Sequence, residues 1–514
     1  MTHTLRTIPA ILAMILLCVA CSDSGEPAPP APAIDEVAFD SPVYYAPAEG
    51  GEITISLSAS GDWTVVPPSD SKFLHGYIET SGGSAGRGEI CFRAMPNTSG
   101  TEQITRMGVV CGRASADVEI RHPAVDIEPM SEDEVRAYLV RLYHAVGGPD
   151  TRLKNPKWLS DLPINQWGSE VHYENGRLSL YLSEYKLSGK IDLSGCRALY
   201  MLKCSKNSLT AVDVSGCPQL ESLDVASNQI ADLNISGCLS LKTLSASTNP
   251  PLSNPALLRD AYALQYADVS AGNFSSLDLT GCYSIETLAC WRNYLTELDL
   301  PDSRRLEVLW CWGNRLRSLA MHDYPQLRLL NCGQNEISEL TISGCPKLGR
   351  LFCYENQLST IDVSSLRDIL GEFYCYSNRL ERLDVTGCRR LSQLHVSDNW
   401  LSELDLTGCK GLGSLYAELN RLTSITFDPE TSLVNCYLTS NRLTSIPLEH
   451  CHYGGKVWVR DNPVLAEIPE AADDFAEFEH DARYEYDRAT GRVTDLKRGW
   501  WYPGEPESGS HTRR

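Results

Sequence analysis

An asparagine that recurs with a period of 21 residues constrains this chain more than any other feature of its sequence. It belongs to the pattern L-x-C-x-x-N-x-[LI]-S-x-[LI], which is complete at residues 330–340 and 351–361. A fixed period of this length predicts a solenoid, in which each unit buries its apolar face only against its neighbours. The asparagine position is called the slot below; it is filled by Asn at 207, 228, 249, 293, 314, 335, 356, 378, 399, 420, 441 and 462, and by Tyr185 and Gly272 in two further repeats.

Each repeat contains the residues needed for one short strand and one turn. In the first half of each repeat, the strand directs two apolar side chains into the core. Where the chain leaves the strand, the side chain of the slot asparagine can hydrogen-bond to backbone groups that would otherwise lack a partner. This pattern resembles the leucine-rich repeat. The resemblance implies an α+β or mainly β fold, with about 14 repeats of 21 residues over 178–465 and a parallel concave sheet about 60 Å long. The longer step from Asn249 to Gly272 predicts an irregular insertion on the convex side.

Residues 1–20 predict a cleaved signal peptide, with Arg6 ahead of a short apolar run. The small residues before Cys21 resemble the lipobox of bacterial lipoproteins, and this resemblance implies acylation of Cys21; an ordinary secretory signal is the alternative. Residues 22–26 are similar to an acidic export signal of Bacteroidetes lipoproteins, within a Pro/Ala-rich linker at 21–34. We expect an outer-membrane lipoprotein exposed at the cell surface, touching the membrane only through its anchor. The periplasmic face is the alternative.

Residues 35–124 read as short alternating strands, which predict a small β-sandwich. The segments 61–65 and 80–84, followed by a turn and a final strand, resemble a BACON domain. That resemblance implies an immunoglobulin-like module of a Bacteroidetes surface protein, although Arg121 and His122 stand where a Gln is usual. Trp63 is then either a platform for a sugar or a core residue, and we favour the core residue. Whether the module binds a ligand or only spaces the repeats is left open.

The two ends of a solenoid need caps. Residues 125–177 predict an N-terminal cap, because Ser131 and Glu134 form a capping box ahead of an amphipathic helix. Residues 466–514 predict a C-terminal cap and tail, with a hairpin whose turn is at Thr490 and Gly491.

The 19 cysteines follow the repeat rather than a disulfide or zinc pattern. One set lies three residues before the slot: Cys204, Cys290, Cys311, Cys332, Cys353 and Cys375. A second set shares one convex position: Cys196, Cys217, Cys238, Cys282, Cys345, Cys388, Cys409 and Cys451. Other repeats place small apolar residues there, so we expect buried thiols that fill space. Cys91 and Cys111 are the one plausible disulfide pair.

The formal net charge of −21 argues against a nucleic-acid partner, because a phosphate-binding face needs an excess of Lys and Arg. The sequence lacks the spacings of a nucleophile elbow, a phosphate-binding loop or a metalloprotease helix. Outside the signal peptide, no C-x-x-C pair or histidine spacing predicts a metal site. We therefore expect a monomer with no enzymatic activity, no cofactor and no metal.

Strand residues four and two positions before each slot face the concave side, because side chains alternate along a strand. In the first five repeats these positions hold one aromatic residue, Tyr181. In the last nine repeats they hold ten, where about one or two are expected from the 8% aromatic content. We call this set the aromatic stripe: Trp291, Trp310, Trp312, Phe352, Tyr354, Tyr374, Tyr376, Tyr416, Tyr437 and Trp458. Asn331 and Gly333 predict a small polar gap within it.

A large exposed aromatic surface indicates a binding site. Rings that merely stabilise the sheet as cross-strand pairs are the alternative. If the stripe binds, the ligand is either a protein, on a host or neighbouring cell, or a glycan. Arg292, Arg350 and Arg460 suit a protein interface. Flanking amide, imidazole and carboxylate groups suit a glycan: Asn331, Glu355, Glu372, His395 and Glu418. We favour protein binding or adhesion, with a glycan-binding accessory lipoprotein as the alternative.

Overall fold

The computed structural model describes residues 35–67, 82–146, 151–153, 155–301, 303–445 and 448–462, with three short strands beyond them. The predicted signal peptide, Cys21 and the linker lie outside the described residues. Within the described part of the chain, no helix combines the length and apolar character needed to cross a bilayer.

The first domain consists of two β-sheets that share one apolar core. The smaller sheet contains Val37–Phe39, Gly51–Ala59 and Gly86–Ala94. The larger sheet contains Val43–Tyr45, Ala114–His122, Gln103–Cys111, Trp63–Val66 and Gly82–Gly83. Their alternating patterns direct apolar side chains such as Ile55, Ile90 and Val109 into the core between them. The described part of this domain is therefore built from two β-sheets around a common apolar core.

Trp63 is a core residue of this domain, as favoured from the sequence. Its side chain is buried, and its indole Nε1 donates to the Ser84 carbonyl at 3.2 Å. The Cys91–Cys111 disulfide, which the sequence left open, does not form: both residues are thiols. Cys111 belongs to the buried face of its strand, whereas Cys91 lies on the outward face of the other sheet, 3.7 Å from the Thr54 hydroxyl. Opposite faces of two sheets do not allow the sulfur atoms to meet.

The N-terminal cap forms around the helix Glu132–Ala145. Ser131 and Glu134 make the predicted capping box, and Val135, Leu139 and Leu142 pack inward. Two 3₁₀ turns follow at Pro156–Leu159 and Ile164–Gln166, and the strand Val171–Glu174 then closes the edge of the concave sheet by antiparallel pairing.

Fourteen parallel strands that carry the predicted slots form the concave sheet, and they enclose thirteen turns of the solenoid. They are Arg177–Tyr181, Leu199–Lys203, Ser222–Asp224, Thr243–Ser245, Tyr266–Asp268, Thr287–Ala289, Val308–Trp310, Leu329–Asn331, Arg350–Phe352, Glu372–Tyr374, Gln393–His395, Ser414–Tyr416, Leu433–Tyr437 and Cys451–Trp458. The register of the three residues at positions six to four before each slot is the same from strand to strand, with irregularities only ahead of these positions, at Leu178 and Leu433, so each slot lies beside the next. A further parallel strand, Glu477–Glu479, extends the sheet into the segment predicted to be cap. The predicted C-terminal hairpin pairs Glu485–Asp487 with Arg492–Thr494.

The slot asparagines form a hydrogen-bond ladder through the interior. The Asn356 amide donates to the carbonyls of Cys332 and Cys353 at 3.0 and 3.1 Å, and its Oδ1 accepts from Ile337 N–H at 2.9 Å. Each slot asparagine thus makes backbone hydrogen bonds both within its own repeat and to the preceding repeat. The exceptions have a physical reason. Tyr185 has no repeat before it, and at the Gly272 slot the Leu252 N–H is already bonded to the Asn249 carbonyl.

The convex side is mostly turns, with short strands and two more 3₁₀ turns. Its strands are Ser188–Asp192, Ser208–Asp213 and Asp232–Asn234 in one sheet, Ser318–His322 with Glu339–Ser343, and Glu403–Leu406 with Ser424–Phe427. The 3₁₀ turns are Ser364–Leu366 and Leu448–His450. With one α-helix in the described residues, the solenoid is mainly β, which resolves the α+β alternative.

Both repeat cysteine sets are buried thiols, except that Cys451 is half-buried. Burial raises the pKa of the Cys332 thiol to about 12. The convex set does more than fill space, because the Cys409 and Cys217 sulfurs donate to carbonyls 24 residues earlier, at 3.1 and 3.2 Å. Where another residue takes this position, Ser303 and Thr431 also donate to backbone carbonyls. In these four repeats, the residue at the convex position therefore donates a hydrogen bond in addition to filling space.

The insertion between Asn249 and Gly272 lies on the convex side, as predicted, close to where the first domain contacts the solenoid. The Arg93 guanidinium of that domain lies 4.4 Å from the ring centre of Tyr283. The Ser284 hydroxyl is 3.3 Å from the Met95 sulfur. The repeat sequence contains no signal for this contact.

Candidate binding surface

The constant strand register gathers the aromatic stripe on one surface. Trp310, Phe352, Tyr374, Tyr416, Tyr437 and Trp458 occupy one column, and Trp291, Trp312, Tyr354 and Tyr376 occupy the other. At about 4.8 Å per strand, the nine repeats span about 40 Å. Most of these side chains are half-buried rather than fully exposed, because each ring covers part of its neighbour.

The stripe begins with a pair of tryptophans. The rings of Trp291 and Trp312 are stacked at a centroid distance of 4.9 Å, with 4° between their planes. Arg292 lies against both, with its guanidinium carbon 4.8 Å from the Trp312 ring centre and 5.8 Å from that of Trp291. Stacking and cation–π contact together fix these rings in place.

The polar gap predicted at Asn331 and Gly333 is partly filled. A Cβ at Gly333 would lie 2.5 Å from the Tyr354 ring, so this ring occupies the space that a larger residue would take. Tyr354 then stacks on Tyr376 at 4.8 Å, and Tyr376 stacks on His395 at 4.3 Å. The imidazole of His395 therefore continues the stack of the aromatic stripe, although the stripe was defined from Trp, Tyr and Phe alone.

A third column also faces the concave side, six residues before each slot. The Tyr374 hydroxyl donates to Gln393 Oε1 at 2.6 Å, and Arg350 pairs with Glu372 at 3.3 Å. The sequence analysis named Arg350 and Glu372 of this column as flanking groups but missed Gln393. The signal was present, because the period-two rule that selects positions four and two also selects position six.

At the far end of the stripe the rings close over one another. Tyr437 stacks on Tyr416 at 4.8 Å and meets Trp458 edge-on at 4.6 Å. As a result Tyr437 is only 4% exposed, so it differs from the expected surface residue. It supports its neighbours from below rather than offering a contact surface of its own.

Two ionisable groups in this surface are shifted by burial toward their neutral forms. Burial lowers the pKa of His395 to about 4. Burial raises the pKa of Glu418 to about 7, although a hydrogen bond from the Ser397 hydroxyl opposes the shift. Near neutral pH, His395 is therefore uncharged and Glu418 is only partly ionised.

Several polar groups expected to orient a glycan are already engaged within the chain. Asn331 accepts from the Gly333 N–H at 3.1 Å, and Glu372 is held by Arg350. Glu355 accepts from the Gln334 amide at 3.3 Å, and Glu418 accepts from Ser397. A ligand would have to compete with these bonds.

The first five repeats offer a contrasting surface on the same sheet. Tyr181 is 41% exposed and has Lys203 over its ring at 5.9 Å. The neighbouring positions carry Ser205 and Asp224, which bond to each other at 2.8 Å. This half has the same backbone but no aromatic stack, so it provides an internal control. Across the described residues, no group of three or more His, Cys, Asp or Glu is arranged to hold a metal ion.

The parallel concave sheet, the asparagine ladder and the 21-residue period together define a leucine-rich-repeat solenoid. No protein family model and no curated protein matches the chain. Among solved structures it is similar to the leucine-rich effector protein YopM from Yersinia pestis, at 21% identity and a TM-score of 0.49, over 68% of this chain and 100% of that one.

It is also similar to the functional domain of InlJ from Listeria monocytogenes, described as including a cysteine ladder, at 25% identity and a TM-score of 0.45, over 55% and 68% of the two chains. A leucine-rich-repeat protein from Leptospira interrogans is similar at 19% identity and a TM-score of 0.45, over 57% and 88%. These are similarities of fold only.

Proposed function

We propose that this chain is a non-enzymatic surface protein that binds a protein partner through the aromatic stripe. One observation carries the proposal: of the eleven aromatic residues at the positions four and two before the slots, ten lie in repeats six to fourteen, and the first five repeats hold only Tyr181. If stacked rings were needed to hold such a sheet together, the first half would need them as well. Trp and Tyr are also the residues most enriched in protein-binding hot spots.

Ring geometry favours a protein over a glycan. A sugar ring stacks on the open face of an aromatic side chain, but here faces are covered by neighbouring rings, as in the pairs Trp291–Trp312 and Tyr354–Tyr376. These stacked pairs present ring edges and, at Tyr354 and Tyr376, phenol hydroxyls. Such a surface suits the mixed apolar and hydrogen-bonding contacts of a protein interface. Glycan binding is the alternative outcome of the test.

The test is a parallel screen of the purified chain on an array of extracellular proteins and on a glycan array. A variant with Trp312→Ala and Tyr354→Ala is compared with a control carrying Lys203→Ala and Asp224→Ala on the first repeats. We expect a protein ligand whose affinity falls at least about 30-fold in the aromatic variant, because truncating a central hot-spot residue costs about 2 kcal/mol or more.

Melting curves of both variants separate binding from folding. Aromatic pairs contribute about 0.5–1.5 kcal/mol beyond their buried area, so a modest loss of stability is expected in the aromatic variant. Equal loss of binding in both variants would contradict the proposal, as would collapse of the fold in the aromatic variant. Ligands found only on the glycan array would favour the alternative.

We further propose that the chain is an outer-membrane lipoprotein, anchored through Cys21 and exposed at the cell surface. The support is the lipobox-like sequence and the Pro/Ala-rich linker that follows it. Cys21→Ala should abolish labelling with a fatty-acid analogue and release the protein from membranes. Continued membrane attachment of this variant would refute the anchor, and protection of the repeats from protease on intact cells would indicate the periplasmic face.

We propose that the two-sheet N-terminal domain is an immunoglobulin-like BACON module that acts as a spacer. Its tryptophan, Trp63, is 3% exposed and therefore has no open face for a sugar. Deletion of residues 35–124 should leave ligand affinity unchanged while reducing access to the repeats on intact cells. If the deletion variant binds the ligand more weakly in solution, the N-terminal domain contributes to binding and is not only a spacer.

A further inference from the structure

A second row of side chains runs along one rim of the concave sheet, one residue after each slot. The backbone fixes this register: the N–H of Arg421 donates to the Leu401 carbonyl at 2.9 Å, and the same bond joins Arg442 to Leu422. Successive members are therefore stacked one per repeat. In the first five repeats the position holds Lys186, Ser208, Gln229, Pro250 and Asn273.

From repeat six onward the composition of this row changes. In repeats six to thirteen it holds Tyr294, Arg315, Glu336, Gln357, Arg379, Trp400, Arg421 and Arg442 in order, and in repeat fourteen the sequence has Pro463. The change occurs at the same repeat at which the aromatic stripe begins. We use the term arginine row for Tyr294, Arg315, Arg379, Trp400, Arg421 and Arg442.

The arginine row is exposed and carries four guanidinium groups. Tyr294 and Trp400 are 46% and 42% exposed, which is high for large aromatic residues. Each is covered on one face by the next arginine, at 4.8 Å for Arg315 and 5.3 Å for Arg421. Among the residues that the structure describes, none of the four guanidinium groups is in an ion pair, although the chain as a whole carries a net charge of −21.

Such a row has a defined chemical preference. A guanidinium binds carboxylates through paired N–H groups, and the cation–π contacts with Tyr294 and Trp400 hold two of the arginines extended. Arg, Trp and Tyr are the residues that contribute most at protein interfaces. Surface charge at a rim mainly selects the partner and speeds its association.

We propose that the arginine row docks an acidic segment of the protein partner beside the aromatic stripe. This inference rests on the proposed function, since it assigns the charge of the partner that the stripe binds. The partner would place apolar side chains on the concave stripe and Asp or Glu residues along the rim. The row and the stripe then act as two parts of one interface.

The test uses a fluorescein-labelled deca-glutamate peptide as the probe, with the full chain at low ionic strength. Fluorescence anisotropy should show binding that weakens with added salt, because exposed charges are screened. The row variant carries Arg379→Gln, Arg421→Gln and Arg442→Gln. A control with the same change in net charge carries Arg304→Gln, Arg389→Gln and Arg390→Gln, three exposed arginines of the convex side.

We expect the row variant to bind the peptide at least about fivefold more weakly than the wild type, and the control to stay within about twofold. Equal weakening of both variants, or no binding by the wild type at low salt, would overturn the inference. So would tighter, row-dependent binding of heparin or polyuridylate, which would assign the row to another class of polyanion.

The aromatic variant separates this inference from the proposed function. Trp312→Ala with Tyr354→Ala should leave binding of the peptide unchanged, because those rings lie on the concave face and not on the rim. If the arrays yield no protein ligand while the peptide still requires the row, the proposed function fails and the acidic preference of the row stands. If the aromatic variant loses the peptide, the site lies on the stripe and the inference fails.

Discussion

Replacing one slot asparagine tests the physical basis of the solenoid. Asn356 is 9% exposed and makes four hydrogen bonds to the backbone, three through its amide group and one through Oδ1. In Asn356→Ala these bonds are lost together. The backbone groups that were bonded to Asn356 differ in whether they keep another hydrogen-bond partner. This difference determines how much stability the variant loses.

The carbonyls keep a partner. The Cys332 carbonyl also accepts from the Asn335 amide at 3.0 Å, and the Cys353 carbonyl accepts from the Asn378 amide at 3.0 Å. Asn356 Oδ1, by contrast, accepts the hydrogen bond of the Ile337 N–H, and in the variant this N–H becomes a buried donor that has lost its acceptor. Leaving such a group unsatisfied costs about 1–3 kcal/mol, so we expect a loss of about 2–3 kcal/mol.

The assay is amide hydrogen exchange, read by mass spectrometry on a peptide that contains Ile337. A local loss of about 2 kcal/mol corresponds to roughly 30-fold faster exchange under native conditions. The control is Asn273→Ala, an exposed asparagine outside the ladder, which should change stability by less than about 0.5 kcal/mol. Unchanged exchange at Ile337 in Asn356→Ala would refute the ladder as the source of repeat stability.

Three further predictions concern the cysteines, the buried carboxyl and the turns. Cys332→Ala should cost about 1 kcal/mol or less in urea unfolding, whereas Cys409→Ala should cost about 0.5–1.5 kcal/mol more because it also loses the thiol hydrogen bond; equal costs would leave that bond without weight. The folded-state pKa of Glu418 is raised from 4.5 to about 7, so its neutral form favours folding and stability falls as pH rises through this range. Glu418→Gln should therefore gain up to about 3 kcal/mol on the wild type between pH 4.5 and 8, and a difference independent of pH would contradict the shift. Gly313 has φ of 69°, so Gly313→Ala should lower stability by about 1 kcal/mol, and an unchanged melting temperature would show that the turn tolerates a Cβ.

The sequence was sufficient for the backbone of the repeats because the period is rigid. The spacing of each side chain from the slot therefore predicts on which face of the sheet it lies. The same reasoning identified the capping box at Ser131 and the core position of Trp63. These features depend on residues close together in the sequence, and such short-range patterns can be recognised from the sequence alone.

Contacts between distant parts of the chain were not readable. The sequence showed which residues face the concave side, but not that Tyr354 leans over Gly333 or that Tyr437 is covered by its neighbours. Those outcomes depend on rotamers chosen jointly by several rings. The contact of Arg93 with Tyr283 joins segments almost 200 residues apart, and no periodic signal marks it. The arginine row did have a periodic signal, one residue after each slot.

Oxidative footprinting of the aromatic side chains in the bound state tests the central claim most directly. The chain is exposed to hydroxyl radicals with and without the protein ligand found on the array, and oxidation is quantified for each Trp and Tyr. Our account predicts strong protection of Trp312, Tyr354 and Tyr376, with no change at Tyr181, which lies on the same sheet outside the stripe. Protection centred on Tyr181 or on the convex side, with the stripe unchanged, would contradict it.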